Sequence, residues 1–266
     1  MNSLDKMLAI LNGFNEDNLT IDVNQAAELS GSSRPSAYRY IQAMTRSGLL
    51  TPASGGNYTI GSRVIELEML KRENDPLLTA AGNLIRYHAE EMGINIMLCS
   101  YYGDKVLCAD LAWTDHSIPQ IYKAGRAMPI FKGAMAKVIL AHLTKSQLKN
   151  IYSWSQDNIA ENGLGSSLEE FTDNMKEIRK AGICITHAEI FDGLVGIAAP
   201  VCDNEGRVLG SVVFVLTGER TDKFSKDELA VEIRNIATDI EQGILRNKKF
   251  HDAGPVVAAR PRRFKI

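Results

Sequence analysis

Cysteine is scarce: Cys99, Cys108, Cys184 and Cys202 are the four in 266 residues, each standing alone with no Cys-x-x-Cys pair and no short histidine spacing nearby. That pattern excludes a disulfide framework or a sequence-local zinc motif and leads us to expect reduced, buried thiols. Long apolar runs are also missing. The longest aliphatic stretch, Val212-Val213-Phe214-Val215-Leu216, falls far short of the ~20 residues a bilayer-spanning helix needs. Residues 1–6 show no basic region leading into an apolar stretch and a small-residue cleavage site, so no secretory signal is expected and the chain is expected to be cytoplasmic. Nor is there an excess of one charge: 30 Lys and Arg against 32 Asp and Glu leave a net charge of -2, which argues against a whole surface made for polyanions. Gly-x-Ser-x-Gly, Gly-x-x-x-x-Gly-Lys-Ser/Thr and His-Glu-x-x-His are all absent, so no motif calls for catalysis, a bound metal or a cofactor.

What the chain does have is enough apolar material to bury real cores, 45% of its residues, over a length suited to roughly two domains. Its charge is unevenly placed. Residues 1–75 carry seven basic and nine acidic side chains, yet no carboxylate falls between Leu29 and Ile65, a window that holds Arg34, Arg39, Arg46 and Arg63. A second basic island lies at residues 246–266, with seven basic residues against one acidic. An acid-free window inside an otherwise acidic segment is what attraction to phosphates requires, although a charged run is more commonly a solvated face.

Leu4, Met7, Leu8, Ile10, Leu11 and Phe14 recur at helical spacing and predict an amphipathic first helix stopped by Gly13 and the Asn-rich residues that follow. Thr20-Ile21-Asp22 reads as a short extended piece. A second helix over residues 23–29 ends at Ser30-Gly31, and a third follows a very short turn, with Ser32 or Ser33 as its cap and Pro35 in its first turn. Steps of ~100° place Ala37, Tyr40, Ile41 and Met44 on one stripe and Pro35, Arg39, Gln42 and Arg46 on the other. Such a pair of helices is either a plain hairpin or a helix-turn-helix whose second helix enters a major groove. Arg34 or Arg39 would then fork onto guanine and Gln42 onto adenine. Leu49-Leu50-Thr51 and Tyr58-Thr59-Ile60 flank a turn-rich stretch and predict a two-stranded wing, which favours the second reading. A further helix with Val64, Ile65, Leu67 and Leu70 runs to about Asn74, and Asp75-Pro76 marks a boundary.

Beyond it, helices are predicted over residues 77–92, 132–143, 168–181 and 226–246. Strands are predicted over 94–100, 105–112, 118–123, 183–186, 195–201 and 208–216, with turns at Tyr102-Gly103-Asp104 and Asp203-Asn204-Glu205-Gly206 and a polar loop through Asn158 to Gly165. Strands in the middle with helices before and after predict an antiparallel α+β sensor-like domain. His187 and Glu189 could form an acid/base or metal pair, but at a strand end such a pair more commonly supports structure or contacts a ligand.

In order along the chain, Ser-Leu-x-Lys-x-Leu-x-Ile-Leu, Tyr38-Arg39-Tyr40-Ile41 before Ser47-Gly48-Leu49-Leu50, and Tyr58-Thr59-Ile60-Gly61 are followed by Gly125-Arg126-Ala127-Met128-Pro129 before Ala136-Lys137. Then come Gly182, Glu189, Gly193, Ile197-Ala198-Ala199-Pro200-Val201 and Gly206-Arg207-Val208. With these motifs the chain resembles the IclR family of bacterial transcriptional regulators, from Ser3 to about Arg246. The resemblance implies a winged helix-turn-helix over residues 1–61, a linker helix over 62–75 that helps dimerise, and a GAF/PAS-like effector-binding and oligomerisation domain over 76–247. A basic tail, 248–266, is expected to be disordered.

The expected partners are double-stranded promoter DNA, a small organic acid and further copies of the chain as homodimer or tetramer. Ser33, Arg34, Pro35, Ser36, Tyr38, Arg39, Gln42, Arg46 and Asn57 are the expected DNA contacts. By motif position, Met128, Ile130, Lys132, Gly133, Ala134, Thr186, Leu194, Gly196, Val213 and Val215 would line the effector pocket, with His187 beside them. The family commonly has His at Phe131, Asp at Thr186 and His187, Cys at Gly196, and Ser at Val213 and Val215. Those departures predict a roomier, less polar pocket for an aromatic or aliphatic carboxylate, with Lys132 or His187 supplying charge or donors. Two rival readings are an enzyme using His187, Glu189 or Cys184, and a winged helix that binds only protein.

Overall fold

The computed structural model describes residues 2–102, 105–118, 122–221 and 223–246. The chain divides into two compact units at Glu73 and Asn74, and each is taken by itself. Gly103 and Asp104 of the expected turn, residues 119–121 and the tail at 248–266 fall outside the described residues, while Ile118, Tyr122 and Lys123, the described ends of the expected strand at 118–123, are not in strand.

In the first unit, Asn2 and Asp5 form a reciprocal cap that starts α1 (Ser3–Ala9), which tightens into a 3-10 turn at Ile10–Gly13. The single amphipathic helix expected here is thus two pieces, and Leu4 and Leu8 of its apolar stripe are exposed while Ala9 and Ile10 are buried. Asp22 and Gln25 cap α2 (Val23–Ser30), which ends at Gly31 in the left-handed region (φ 54°), where a residue without a Cβ fits best. α3 follows directly over Arg34–Arg46 and buries Ala37, Ile41 and Met44 against Ile10, Ile21, Ala26 and Leu50. Each such large aliphatic side chain, fully buried, contributes about 1.5–3 kcal/mol.

The wing is β1 (Leu50–Pro52) paired antiparallel with β2 (Tyr58–Ile60). Ile21 adds a third edge, exchanging main-chain bonds of 2.9 Å with Tyr58 in both directions. At the wing's base the Gly61 N–H donates to Leu49 O at 2.8 Å, and a Cβ on Gly61 would lie 2.1 Å from Gly48 O. Only glycine allows that approach. α4 (Arg63–Asn74) buries none of its residues.

The second unit is a six-stranded sheet in the order β5-β4-β3-β8-β7-β6, antiparallel throughout. Its strands are β3 (Asn95–Tyr102), β4 (Lys105–Ala112), β5 (Ala127–Pro129), β6 (Cys184–His187), β7 (Leu194–Cys202) and β8 (Val208–Thr217). On one face lie α5 (Pro76–Met92), with Leu77, Ala81, Ile85 and Ala89 buried at i, i+4 spacing, and α10 (Lys226–Arg246), with Leu229, Ile233, Ile236, Ile240 and Ile244. On the other lie α6 (Gly133–His142), α7 (Lys145–Glu161) and α8 (Leu168–Ala181). A short α9 (Gly218–Thr221) follows β8. With both faces covered, β8 alternates Val213 and Val215 into one core with Val212, Phe214 and Leu216 into the other, which is why its sequence reads as an unbroken apolar run.

Besides the short α9, two elements are additions to the sequence reading. The expected loop at residues 158–165 is helix as far as Glu161: α7 starts at a reciprocal cap between Thr144 and Gln147 and buries Leu148, Ile151, Ser155 and Ile159. β5 is an edge strand of three residues, too short to leave a periodic signal. No helix among the described residues is long and apolar enough to cross a membrane.

Candidate functional sites

α3 presents a face of guanidinium groups, hydroxyls and an amide, with Pro35 in its first turn. Ser33, Arg34, Pro35, Tyr38, Arg39 and Arg46 are exposed, and Ser36 and Gln42 are half-buried along the same side. Ser33 occupies the N-cap position, but its hydroxyl makes no capping bond to the helix. This corrects the expected cap. The Ser33 hydroxyl instead donates to Ser36 Oγ at 3.1 Å, and Arg39 Nη2 donates to the same oxygen at 3.2 Å. The first-turn N–H groups of α3 are therefore not taken by Ser33, and the Arg39 guanidinium is held along the helix surface. Asn57 is half-buried at the tip of the wing, where its main-chain carbonyl accepts from Ala53 N–H at 2.8 Å.

The second site is a cavity between the sheet and the start of α6. Met97, Val213 and Val215 form its floor, Thr186 and Gly196 one wall, and Gly133, Ala134 and Met135 the opposite wall; Tyr122, Glu189, Ile190, Phe191, Leu194 and Val195 complete it. Seven of the eleven expected residues thus come together: Gly133, Ala134, Thr186, Leu194, Gly196, Val213 and Val215. Met128 and Ile130 are buried in the adjoining core but do not line the space. Lys132 and His187 are exposed and lie outside the lining. At the N-cap of α6 the extended backbone of Lys132 (φ -124°, ψ 146°) precedes the buried Gly133.

The cation near the cavity is instead Lys137, which is not itself among the lining residues and is paired with Glu189, which is, a pairing the sequence reading did not single out. Lys137 Nζ lies 2.5 Å from Glu189 Oε1, with only 13% of the lysine side chain exposed. Glu189 Oε2 accepts the Gly133 N–H at 2.9 Å, and Thr186 Oγ1 accepts the Ala134 N–H at 3.1 Å. The start of α6, where unpaired N–H groups favour negative charge, is therefore served by the chain's own side chains.

The expected roominess is corrected as well. A Cβ on Gly196 would meet Thr186 Oγ1 at 3.3 Å and Ala134 Cβ at 3.6 Å, so these neighbours already fill the space left by the missing side chain. Room for the centres of water-sized molecules amounts to about 20 Å³, enough for roughly one water. The expected loss of polar groups is seen at Val213 and Val215, which join Met97, Ile190, Phe191 and Leu194 in the lining, but Thr186, Glu189 and Tyr122 keep part of it polar. Cys184, considered above as a nucleophile, is buried, and that burial pushes its thiol up to about 11, so it stays protonated and unreactive near neutral pH.

Two family models match the chain. One, described as the IclR helix-turn-helix domain, matches residues 3–53, and the other, described as bacterial transcriptional regulator IclR C-terminal, matches residues 73–242. Among characterised relatives, the Pca regulon regulatory protein of Pseudomonas putida is 21% identical over 213 residues, 80% of this chain and 73% of that protein. The HTH-type transcriptional regulator TtgV of Pseudomonas putida is 25% identical over 226 residues, 84% of each. Among solved structures, an IclR homolog from Microbacterium hydrocarbonoxydans, complexed with 4-hydroxybenzoate, superposes with a TM-score of 0.70 at 16% identity, covering 92% of this chain and all of that one.

Proposed function

The chain belongs to the IclR family of bacterial transcriptional regulators, and from that premise we propose that it controls a catabolic operon in response to an aromatic carboxylate. The acid-free outer face of α3 carries the DNA half of the reading. Arg34, Arg39 and Arg46 face outward with no carboxylate in the helix, so phosphate attraction is unopposed while Arg39 and Gln42 reach base edges. Ser33, Pro35, Ser36 and Tyr38 complete the groove-facing surface, and Asn57 approaches the backbone from the wing.

The effector half rests on the cavity's apolar lining beside a carboxylate-binding arrangement of Lys137 and main-chain N–H groups. A relative of the same fold holds 4-hydroxybenzoate, a ligand with that combination of ring and carboxylate. The effector changes operator affinity only by binding the DNA-competent and DNA-incompetent states differently, typically with ~1–3 kcal/mol of coupling. The chain acts as a homodimer or tetramer, since α4 exposes Ile65, Leu67, Met69 and Leu70 and a second copy is the natural cover for such a face.

Two measurements test this. Sheared genomic DNA from the source, incubated with the purified protein and sequenced after recovery, should be enriched in one palindromic site; uniform recovery that weakens evenly with salt would reduce the α3 face to nonspecific attraction. Calorimetric titration should then show 4-hydroxybenzoate or a related aromatic acid binding and glyoxylate failing to bind. Tight glyoxylate binding with no response to aromatic acids would overturn the effector assignment.

A further inference from the structure

The cavity leaves room for about one water, so an aromatic acid enters only if something leaves. The side chains closing it, Glu189, Ile190 and Phe191, come from one short segment between β6 and β7. That segment opens at Ala188, whose φ of 55° makes it the one non-glycine residue with positive φ among the described residues, a conformation disfavoured for a side chain bearing a Cβ. Phe191 is 48% exposed although it helps line the space. Glu189 already makes the two contacts that an incoming carboxylate would seek, one oxygen on the Lys137 ammonium and the other on the Gly133 N–H.

We propose that Glu189 is an internal occupant of the effector seat, an autoinhibitory carboxylate that the effector's own carboxylate displaces, carrying residues 188–193 away from the cavity as it enters. This rests on the reading of the cavity as a carboxylate site. The exchange replaces one anion by another, so Lys137 keeps a partner throughout. A neutral ligand of the same shape would expel Glu189 and leave a largely buried ammonium uncompensated, which is strongly unfavourable. The internal carboxylate therefore acts as a filter. It admits ligands that can take over its ion pair and rejects neutral aromatics that would fit the apolar lining equally well.

The test uses the full chain and two variants. Glu189→Gln keeps the shape and removes the charge, weakening the internal competitor, so 4-hydroxybenzoate should bind about tenfold more tightly than to the unsubstituted protein, while 4-hydroxybenzyl alcohol, which brings no anion to Lys137, should remain the weaker ligand on both proteins. Glu189→Ala empties the seat. Its Tm should be lower than that of the unsubstituted protein and should rise on titration with sodium acetate, relative to sodium chloride at equal ionic strength, whereas the unsubstituted protein should show no acetate-specific rise. Absence of an acetate-specific rise in Glu189→Ala, or weaker binding of 4-hydroxybenzoate to Glu189→Gln, would overturn the proposal. If acetate rescues Glu189→Ala while neither protein binds 4-hydroxybenzoate, the internal carboxylate stands and the aromatic reading of the effector falls.

Discussion

At Arg39 the proposed DNA reading rests on a single side chain. Its guanidinium lies against Ser36 Oγ at 3.2 Å, and that hydroxyl also accepts from Ser33, so the side chain is partly ordered before DNA arrives and loses less freedom on binding. Arg39→Ala should cost about 1–3 kcal/mol in affinity for the true operator and relax discrimination at the base it reads. Fluorescence anisotropy on operator and scrambled duplexes at fixed salt separates the two effects, and unchanged operator affinity would remove Arg39 from the interface. This face was legible in the sequence because α3 is a local, periodic object: Ala37, Ile41 and Met44 fall on the buried side as their spacing requires. The ion pair at the cavity was not legible. Lys137 and Glu189 are 52 residues apart and meet only because β6 and α6 pack together, whereas motif position pointed to Lys132, which faces solvent.

Individual elements carry their own stability signatures. The wing depends on a backbone contact that no larger residue permits, since a Cβ on Gly61 would sit 2.1 Å from Gly48 O and 3.0 Å from the Leu50 carbonyl carbon. Main chain cannot retreat as a flexible side chain can, so Gly61→Ala should destabilise the N-terminal unit by about 1–3 kcal/mol, lowering its thermal transition and weakening operator binding together. α6 responds to pH at its last turn. His142 Nδ1 lies 2.8 Å from Val138 O, and burial lowers the imidazole pKa from its ordinary 6.5, opposed by that bond and assisted by nearby Arg179. Because the unfolded chain binds this proton more readily than the folded one, the associated stability is fully present above pH 6.5 and is lost as pH falls through the folded value. Urea unfolding compared at pH 7.5 and 5.5 should show a loss in the unsubstituted protein that is smaller in His142→Gln; equal losses would place the sensitivity elsewhere. α7 shows where periodicity could have been followed further. Thr144 and Gln147 spell out its cap, and Leu148, Ile151 and Ile159 its buried face, but its polar remainder reads as loop when composition is weighed ahead of spacing.

At the scale of the whole molecule the open question is what covers α4. A 12-residue helix is marginal in water unless tertiary packing supports it, yet α4 buries none of its residues, and Val64, Ile65, Leu67, Met69 and Leu70 are between 38% and 66% exposed. Apolar side chains spread around the helix suit a partner that wraps more than one side of it, and a symmetric pairing of two copies meets that need with a single surface. It would also present two α3 helices to one duplex, so that each half-site binds with the high effective concentration set by the other. Ile65→Asp places a charge at the most exposed of these apolar positions. It should shift the sedimentation mass at micromolar concentration from dimer or tetramer towards monomer and weaken binding to a palindromic operator far more than to a single half-site. Were the mass to stay oligomeric and both affinities hold, α4 would not be the dimer contact, and its apolar face would have to be covered in some other way. The half-site control matters because a variant that merely unfolds the first unit loses both duplexes alike, whereas loss of pairing alone spares the half-site.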